Sequence, residues 1–507
     1  MTSIVIVGGG TAGWLTAAII AAKNSHLKHG QNAVQISLIE SPDVKNLGVG
    51  EGTWPTMRET LRSIGISERE LLKKCNASFK QASKFVNWHT QNNHYYHPFT
   101  LPSSYGAFNL AEHWQPSNEQ DFADFVCAQS AACEQALAPK LSTMKDYAFA
   151  LNYGYHLDAN KFVALLQSHC ETVFGVNYIQ DHVQGVVNDK DGYISHLNLK
   201  DRGTVEGDMF IDCSGFTSIL IDKHYGIPFK TCSDVLFNDR AIAAQVEHAD
   251  DKTEIASSTI ATAQSNGWIW DIALQNRRGI GYVYSSRFET DSNAEVSLKR
   301  YIEQDPKLAR SDVSTRTIKF TPGYRQKFWH KNCVAIGVSA GFVEPLEATA
   351  MVLIEKSAQW VSEQITNDHK AMNVLAKRFN SVTTERWIEI VDFLKLHYVL
   401  SDRKDSEYWC AHREANSIPE TLKESLILWR TQSPWLYESM NRFELFSSAS
   451  KQFVLYGMQF KTSHQQLLNQ QTDTTKRLNR IRDENYLLKQ QLIKQLPTNR
   501  EYLANLS

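Results

Sequence analysis

The sequence has no Cys-x-x-Cys pair, no extended basic stripe, no internal repeat and no low-complexity tract. A formal net charge of −2 gives no field suited to nucleic acid, so no nucleic-acid partner is expected. The eight cysteines (Cys75, Cys127, Cys133, Cys170, Cys213, Cys232, Cys333 and Cys410) are scattered. Without a secretory pattern they read as buried thiols, not as a disulfide framework. The longest uncharged apolar run holds residues 4–22, IVIVGGGTAGWLTAAIIAA. Its central glycines weaken a membrane helix and no basic region precedes it. A buried strand, a tight turn and a buried helix fit better, so the expectation is a cytoplasmic protein with no membrane partner.

That run carries the first motif. Ile4–Val7 is a β-branched strand pattern, followed by Gly8, Gly10 and Gly13 in G-x-G-x-x-G spacing, then a helix over Trp14–Ala22. The glycines allow a tight turn, backbone approach to a pyrophosphate and close helix–strand packing. The helix start, with Thr11 and Ala12, offers N–H groups and a positive dipole end to phosphates. ISLIES is a second strand that places Glu40 where a ribose hydroxyl can donate to it. NSHLKHGQN reads as an inserted loop between them. GVGEGTWP (Gly48–Pro55), with Gly50 and Glu51, reads as a loop that lets backbone approach a ligand.

Further along, Asp158 caps a helix through Cys170, and VQGVVNDKDGYISHLNL is a hairpin about Asp191–Gly192. MFIDCSGF is a buried strand that ends at Asp212 and Gly215. NCVAIGVSAGF is another, running into Gly337. In SNGWIWDIAL, Trp268 and Trp270 share one face of a strand and Ile269 the other, and RRGIGYVYSS pairs with it. The chain from about Leu346 is helix-rich. Leu478, Ile481, Leu488 and Leu492 form a stripe interrupted by Asn485, better suited to packing on the protein's own body than to a coiled coil. His89, His94 and His97 lack a carboxylate or cysteine to complete a metal set, so no metal is expected.

Four stretches together resemble the flavin-dependent tryptophan halogenases: VIVGGGTAGW, GVGEGTWPT, GWIWDI and GFVEPLEAT. The resemblance implies an α/β fold: an FAD-binding Rossmann-like module of the aromatic-hydroxylase type, an antiparallel sheet layer and a helical C-terminal domain. It implies residues 1–350 as the FAD module with its substrate-side sheet, and 351–507 as a helical cover. It also implies halogenation of an electron-rich indole through a flavin hydroperoxide and hypohalous acid, using FAD, halide, oxygen and a separate flavin reductase. Lys80, preceded by Phe79, matches the catalytic lysine, with Lys84 four residues on, a spacing that would bring the two near each other on one helix. Glu347 matches the active-site glutamate, with Glu344 its neighbour. His97 and Phe99 match pocket-lining residues, Thr349 and Ala350 the halide site, and the two-tryptophan strand a barrier between flavin and substrate.

The chain departs from the pattern at Ala273, where proline is usual, and at Ala348 and Ala350, where serine and glycine are usual. Ala350 keeps its N–H for a halide provided its φ is negative. No paired tyrosines precede SASKQFVLYG, so indole or a larger indole-bearing molecule fits as well as tryptophan. An aromatic monooxygenase and a non-catalytic flavin-binding protein are the competing readings. No second G-x-G-x-x-G offers a built-in nicotinamide module, and the oligomeric state, a homodimer included, stays open.

Overall fold

The structure is a computed structural model that describes residues 2–25, 33–43, 50–114, 120–308, 313–438, 444–463 and 472–506. Most of the expected inserted loop, and Gly48, lie outside these residues. The chain forms two compact units. One comprises Met1–Ala77, Leu157–Thr231 and Thr321–Trp387; the other comprises Ser78–His156, Cys232–Phe320 and Ile388–Ser507. This partition differs from a single division at residue 350, because each unit draws on segments from both sides of that point.

The first unit is built on a six-stranded sheet. Its spatial order is Trp329–His330, Cys333–Ala335, Met209–Asp212, Thr2–Val7, Val34–Glu40 and Asn177–Gln180. All neighbours are parallel except the Trp329–His330 edge. Ile4, Val5 and Ile6 are fully buried at its centre, as an apolar parallel strand should be. The helix Thr11–Asn24 follows at once, burying Trp14, Leu15, Ala17, Ala18 and Ile20. The uncharged run is therefore strand, turn and buried helix; among the described residues no helix is long and apolar enough to cross a membrane. Asp158 caps the helix Ala159–His169 by accepting from the N–H groups of Asn160 and Lys161 at 3.0 and 3.2 Å. The helix gives way to a π-helical turn at Cys170. The hairpin Val183–Asn188/Ile194–Leu199 turns through Gly192 at φ +81°.

The second unit holds a seven-stranded sheet. Its order is Thr315–Lys319, Arg240–Glu247, Arg277–Tyr284, Gly267–Ala273, Ser258–Gln264, Ala82–Val86 and His94–Pro98. It is antiparallel except where Ala82–Val86 runs parallel to Ser258–Gln264. On one face Ile269, Ile280, Tyr282 and Tyr284 form a core with Leu298 and Ile302 of the helix Asp291–Glu303. Leu492 of the helix Thr472–Gln495 joins a core with Ala128, Ala132, Leu137 and Leu151, so that helix packs on its own unit. Ile481 is buried as well, Leu488 stays exposed, and the interrupting Asn485 is itself buried, accepting from Ser103 Oγ at 2.5 Å. None of the eight cysteines is in a disulfide; seven are buried, and Cys410 departs from expectation by lying exposed.

Candidate functional site

In the first unit the glycine turn is built by close approach. A Cβ on Gly13 would lie 1.9 Å from the Gly8 carbonyl oxygen. Gly8 itself sits at φ +121°, where a Cβ would be 2.2 Å from the Cys213 carbonyl oxygen. The middle glycine, Gly9, was not singled out by the spacing rule, yet its missing side chain is where the Glu40 carboxyl lies, 2.1 Å from an added Cβ. Gly10 caps the helix from an extended conformation. No side chain caps the helix start and no acid stands in its first turn. That leaves main-chain N–H groups and the dipole's positive end for an anion.

The other expected cofactor residues gather at the same ends of the parallel strands. Glu40 accepts from Tyr178 Oη at 2.8 Å, and burial raises its carboxyl above the usual range. Burial pushes Glu51 up to about 7, opposed by a hydrogen bond from the Thr11 side chain. Gly50 is buried at the start of its short strand. Gly337, at φ +79°, lets its loop approach the helix start, since a Cβ there would meet Ala12 Cβ at 2.7 Å. Asp212 is fully buried, and its carboxylate is engaged by its own chain: Ser214 N and Oγ on one oxygen, Leu220 N and Ile221 N on the other. Its contribution to a bound dinucleotide would run through the loop it holds. A cradle a Cβ would fill, an uncapped helix start and a terminal acid fit a dinucleotide such as FAD.

The GFVEPLEAT segment lies in this unit too. Glu344 and Glu347 are both buried, so burial does not separate them. The Glu347 carbonyl accepts from Trp54 Nε1 at 2.8 Å. Ala348 N–H donates back to the Pro345 carbonyl at 3.1 Å, and Ala348 takes the left-handed conformation at φ +54°. The departure from the family pattern therefore has its backbone consequence at Ala348, while Ala350 lies within the helix Thr349–Glu363 and outside the positive-φ region. This helix start also lacks a side-chain cap and an acid, so Thr349 and Ala350 sit where a halide would find N–H donors. Further along the helix, Glu355 accepts from Thr56 Oγ1 at 3.0 Å and from the Thr60 hydroxyl; burial pushes it up to about 7.

In the second unit the two lysines are not on one helix. Lys80 ends the strand Ser78–Lys80, which pairs with Gly154–His156, whereas Lys84 lies on Ala82–Val86 in the large sheet. Gln81, between them, bonds across both breaks: its N–H donates to the Ser257 carbonyl at 2.7 Å, and its carbonyl accepts from Phe99 N at 3.0 Å. The strands diverge there, so helical spacing does not apply. Lys80 is 1% exposed, with its ammonium 5.2 Å from the Phe99 ring centroid. Lys84 pairs with Glu134 at 2.8 Å near the surface. His97 is buried, its ring 5.9 Å from Phe393 and 6.0 Å from Phe453. Phe393 in turn stacks on Phe446 at 3.8 Å. Phe393 and Phe453 had no sequence signal, because they meet His97 only in the fold, and Phe446 joins them only through Phe393. His89 and His94 pair with Asp402 and Glu134, and among the described residues no cluster is arranged to hold a metal ion.

Trp268 and Trp270 share the face opposite Ile269, their rings 6.5 Å apart. Trp268 is wedged beside Trp88, which meets Phe85, Tyr398 and Trp409. Trp270 lies over the backbone of its ladder partner Gly281, where a Cβ would be 2.1 Å from the indole. Asp271 points the other way and is held by Arg278 through both carboxylate oxygens and by Tyr301 Oη at 3.1 Å.

A Rossmann-like module with a dinucleotide cradle, joined in one chain to a unit that holds a wholly buried lysine and, on another sheet, paired indoles, defines a flavin-dependent halogenase. The chain belongs to the tryptophan halogenase family, whose description, Tryptophan halogenase, matches residues 3–474. It is 44% identical to a tryptophan halogenase from Shewanella frigidimarina NCIMB 400, covering 100% of this chain and 97% of that one with a TM-score of 0.95. It is 32% identical to the tryptophan 6-halogenase ThaL of Streptomyces albogriseolus (85% of this chain, 82% of the relative). It is equally 32% identical to the tryptophan 7-halogenase RebH of Lentzea aerocolonigenes (84% and 81%).

Proposed function

We propose that this enzyme halogenates an electron-rich indole, with Lys80 and Glu347 as its catalytic residues. Bound reduced FAD supplies the electrons that turn oxygen and halide into hypohalous acid. The uncapped starts of the helices at Thr11 and Thr349 receive the anions, pyrophosphate at the first and halide at the second. Lys80 then holds the oxidant, by a hydrogen bond or as a haloamine, and presents its halogen to the ring. Glu347 stabilises the ring cation and takes its proton. His97 and Phe99 line the pocket. Trp268 and Trp270, locked by packing on both sides, form a wall that small oxidants pass and an indole does not. A separate reductase supplies the reduced flavin.

The observation that carries this reading is the burial of Lys80 to 1% exposure against the Phe99 ring. Lysine is almost never fully buried unless paired, and this one sets its ammonium against an aromatic ring assigned to the substrate pocket. The test supplies FAD, a reductase, oxygen and bromide to a panel of indoles, tryptophan and free indole included, followed by mass spectrometry. A brominated product is expected; an added oxygen would assign a monooxygenase, and peroxide alone a flavoprotein without halogenation.

A further inference from the structure

The strand opposite Lys80 carries a group that the scheme above does not use. The ladder sets Ser78 opposite His156 and Lys80 opposite Gly154, so all four positions share one face. Gly154 offers no side chain, which makes the diagonal residue, His156, the neighbour of Lys80 across the ladder. Ser78 is engaged elsewhere, its hydroxyl donating to the Ala273 carbonyl at 2.6 Å.

His156 is fully buried. Its Nε2 is 2.8 Å from Thr259 Oγ1, and its Nδ1 has no hydrogen-bond partner among the described residues. Burial, and after it the Lys80 charge, holds the ring well below the ordinary imidazole range, so it is neutral. In the tautomer that donates Nε2–H to Thr259 Oγ1, the lone pair sits on Nδ1. A bare acceptor in a dry interior is costly unless a donor reaches it at some stage of the working cycle. The Lys80 ammonium, on a flexible stem with three protons to give, is such a donor.

We propose that His156 is a positioning residue for Lys80: its neutral Nδ1 accepts one ammonium hydrogen bond and so fixes the direction in which the remaining N–H groups meet the oxidant. The inference rests on the assignment of Lys80 to the halogenation step. Its consequence is coupling: without the anchor, hypohalous acid still forms but is lost before it reaches the indole.

Two substitutions separate the ring nitrogens. His156→Asn keeps a polar atom near the Nδ1 position and none at Nε2; His156→Gln does the reverse. The readout is halogenated indole per reduced FAD consumed, with FAD affinity and melting temperature recorded beside it. We expect His156→Asn to stay within about twofold of the parent and His156→Gln to fall about tenfold or more, at unchanged FAD affinity. A coupled Gln variant beside an uncoupled Asn variant would assign the ring to its Thr259 bond and overturn the proposal, as would equal behaviour of the two. If either variant does not fold, Thr259→Val decides: it leaves Nδ1 in place, so coupling should stay within about twofold, and a tenfold loss overturns the proposal. Lys80→Ala, run in parallel, isolates the underlying assignment, since continued halogenation there would remove Lys80's role altogether.

Discussion

The indole N–H of Trp54 donates to the main-chain carbonyl of Glu347, a residue far from it in sequence, at 2.8 Å. Trp54 follows the short strand that carries Glu51, so the loop expected to approach the flavin is fastened to the backbone of the proposed base. Trp54→Phe keeps the bulk and removes the bond. We expect a stability loss of about 1 kcal/mol in chemical denaturation. We also expect halogenation to slow about tenfold, equivalent to ~1.4 kcal/mol in the barrier, while FAD affinity holds. An unchanged rate would mean that Glu347 is held by its own turn alone.

Gly10 has φ −79° and ψ −172°, a conformation open to any residue. Gly10→Val should therefore fold, while its side chain blocks the helix start and abolishes FAD binding. Gly13→Ala differs, because its Cβ would sit 1.9 Å from the Gly8 carbonyl oxygen. It should lower the melting temperature as well as lose flavin. Flavin fluorescence titration and thermal melts separate the two behaviours.

Lys80→Ala should end product formation while peroxide is still released. Lys84→Ala, which removes an exposed pair with Glu134, should stay within about twofold of the parent and cost under about 1 kcal/mol. Glu347→Gln should slow turnover by about 10²-fold or more, as for a lost general base. Dead Lys84→Ala beside active Lys80→Ala would reverse the assignment.

Ala348 holds φ +54°, where a β-carbon is strained by roughly 1–2 kcal/mol. Ala348→Gly relieves that strain at some cost in chain entropy, so we expect a net gain of about 0.5–1 kcal/mol and a higher melting temperature. A lower one would show that the methyl group's packing outweighs its strain.

Glu355 is an acid whose folded pKa, about 7, exceeds its ordinary 4.5. Its contribution to stability is full below about 4.5 and is lost as pH rises through about 7. Between those values Glu355→Gln should flatten the pH dependence of unfolding by up to about 1.4 kcal/mol per pH unit. Denaturation series at pH 5 and pH 8 measure the difference, and parallel curves for parent and variant would place the dependence elsewhere.

The glycine turn and its strands were legible because they are dictated by hard-sphere contact: Gly13 against the Gly8 carbonyl leaves no room for another residue. The shared face of Trp268 and Trp270 followed from strand periodicity in the same way. The Lys80–Lys84 geometry did not, since four-residue spacing suits a helix and only the partners of Gln81 reveal two diverging strands. The left-handed Ala348 was hidden because alanine rarely adopts that conformation and nothing local announces it. His156, Trp54 and the phenylalanines around His97 act through neighbours distant in sequence, which no local window contains.

The alternation of segments between the two units sets the order in which the protein can be made. Translation delivers the glycine turn first, but that unit still lacks its last stretch, Thr321–Trp387, when three-fifths of the chain has emerged. The other unit waits for Ile388–Ser507. The first unit is complete only at Trp387, after two segments of the other have already emerged, so the two do not form one after the other as consecutive domains do. A nascent chain halted near residue 350 exposes two incomplete cores at once, so heterologous yield should depend on chaperone supply and slow translation. Fragments cut at that point should be insoluble on both sides of the cut.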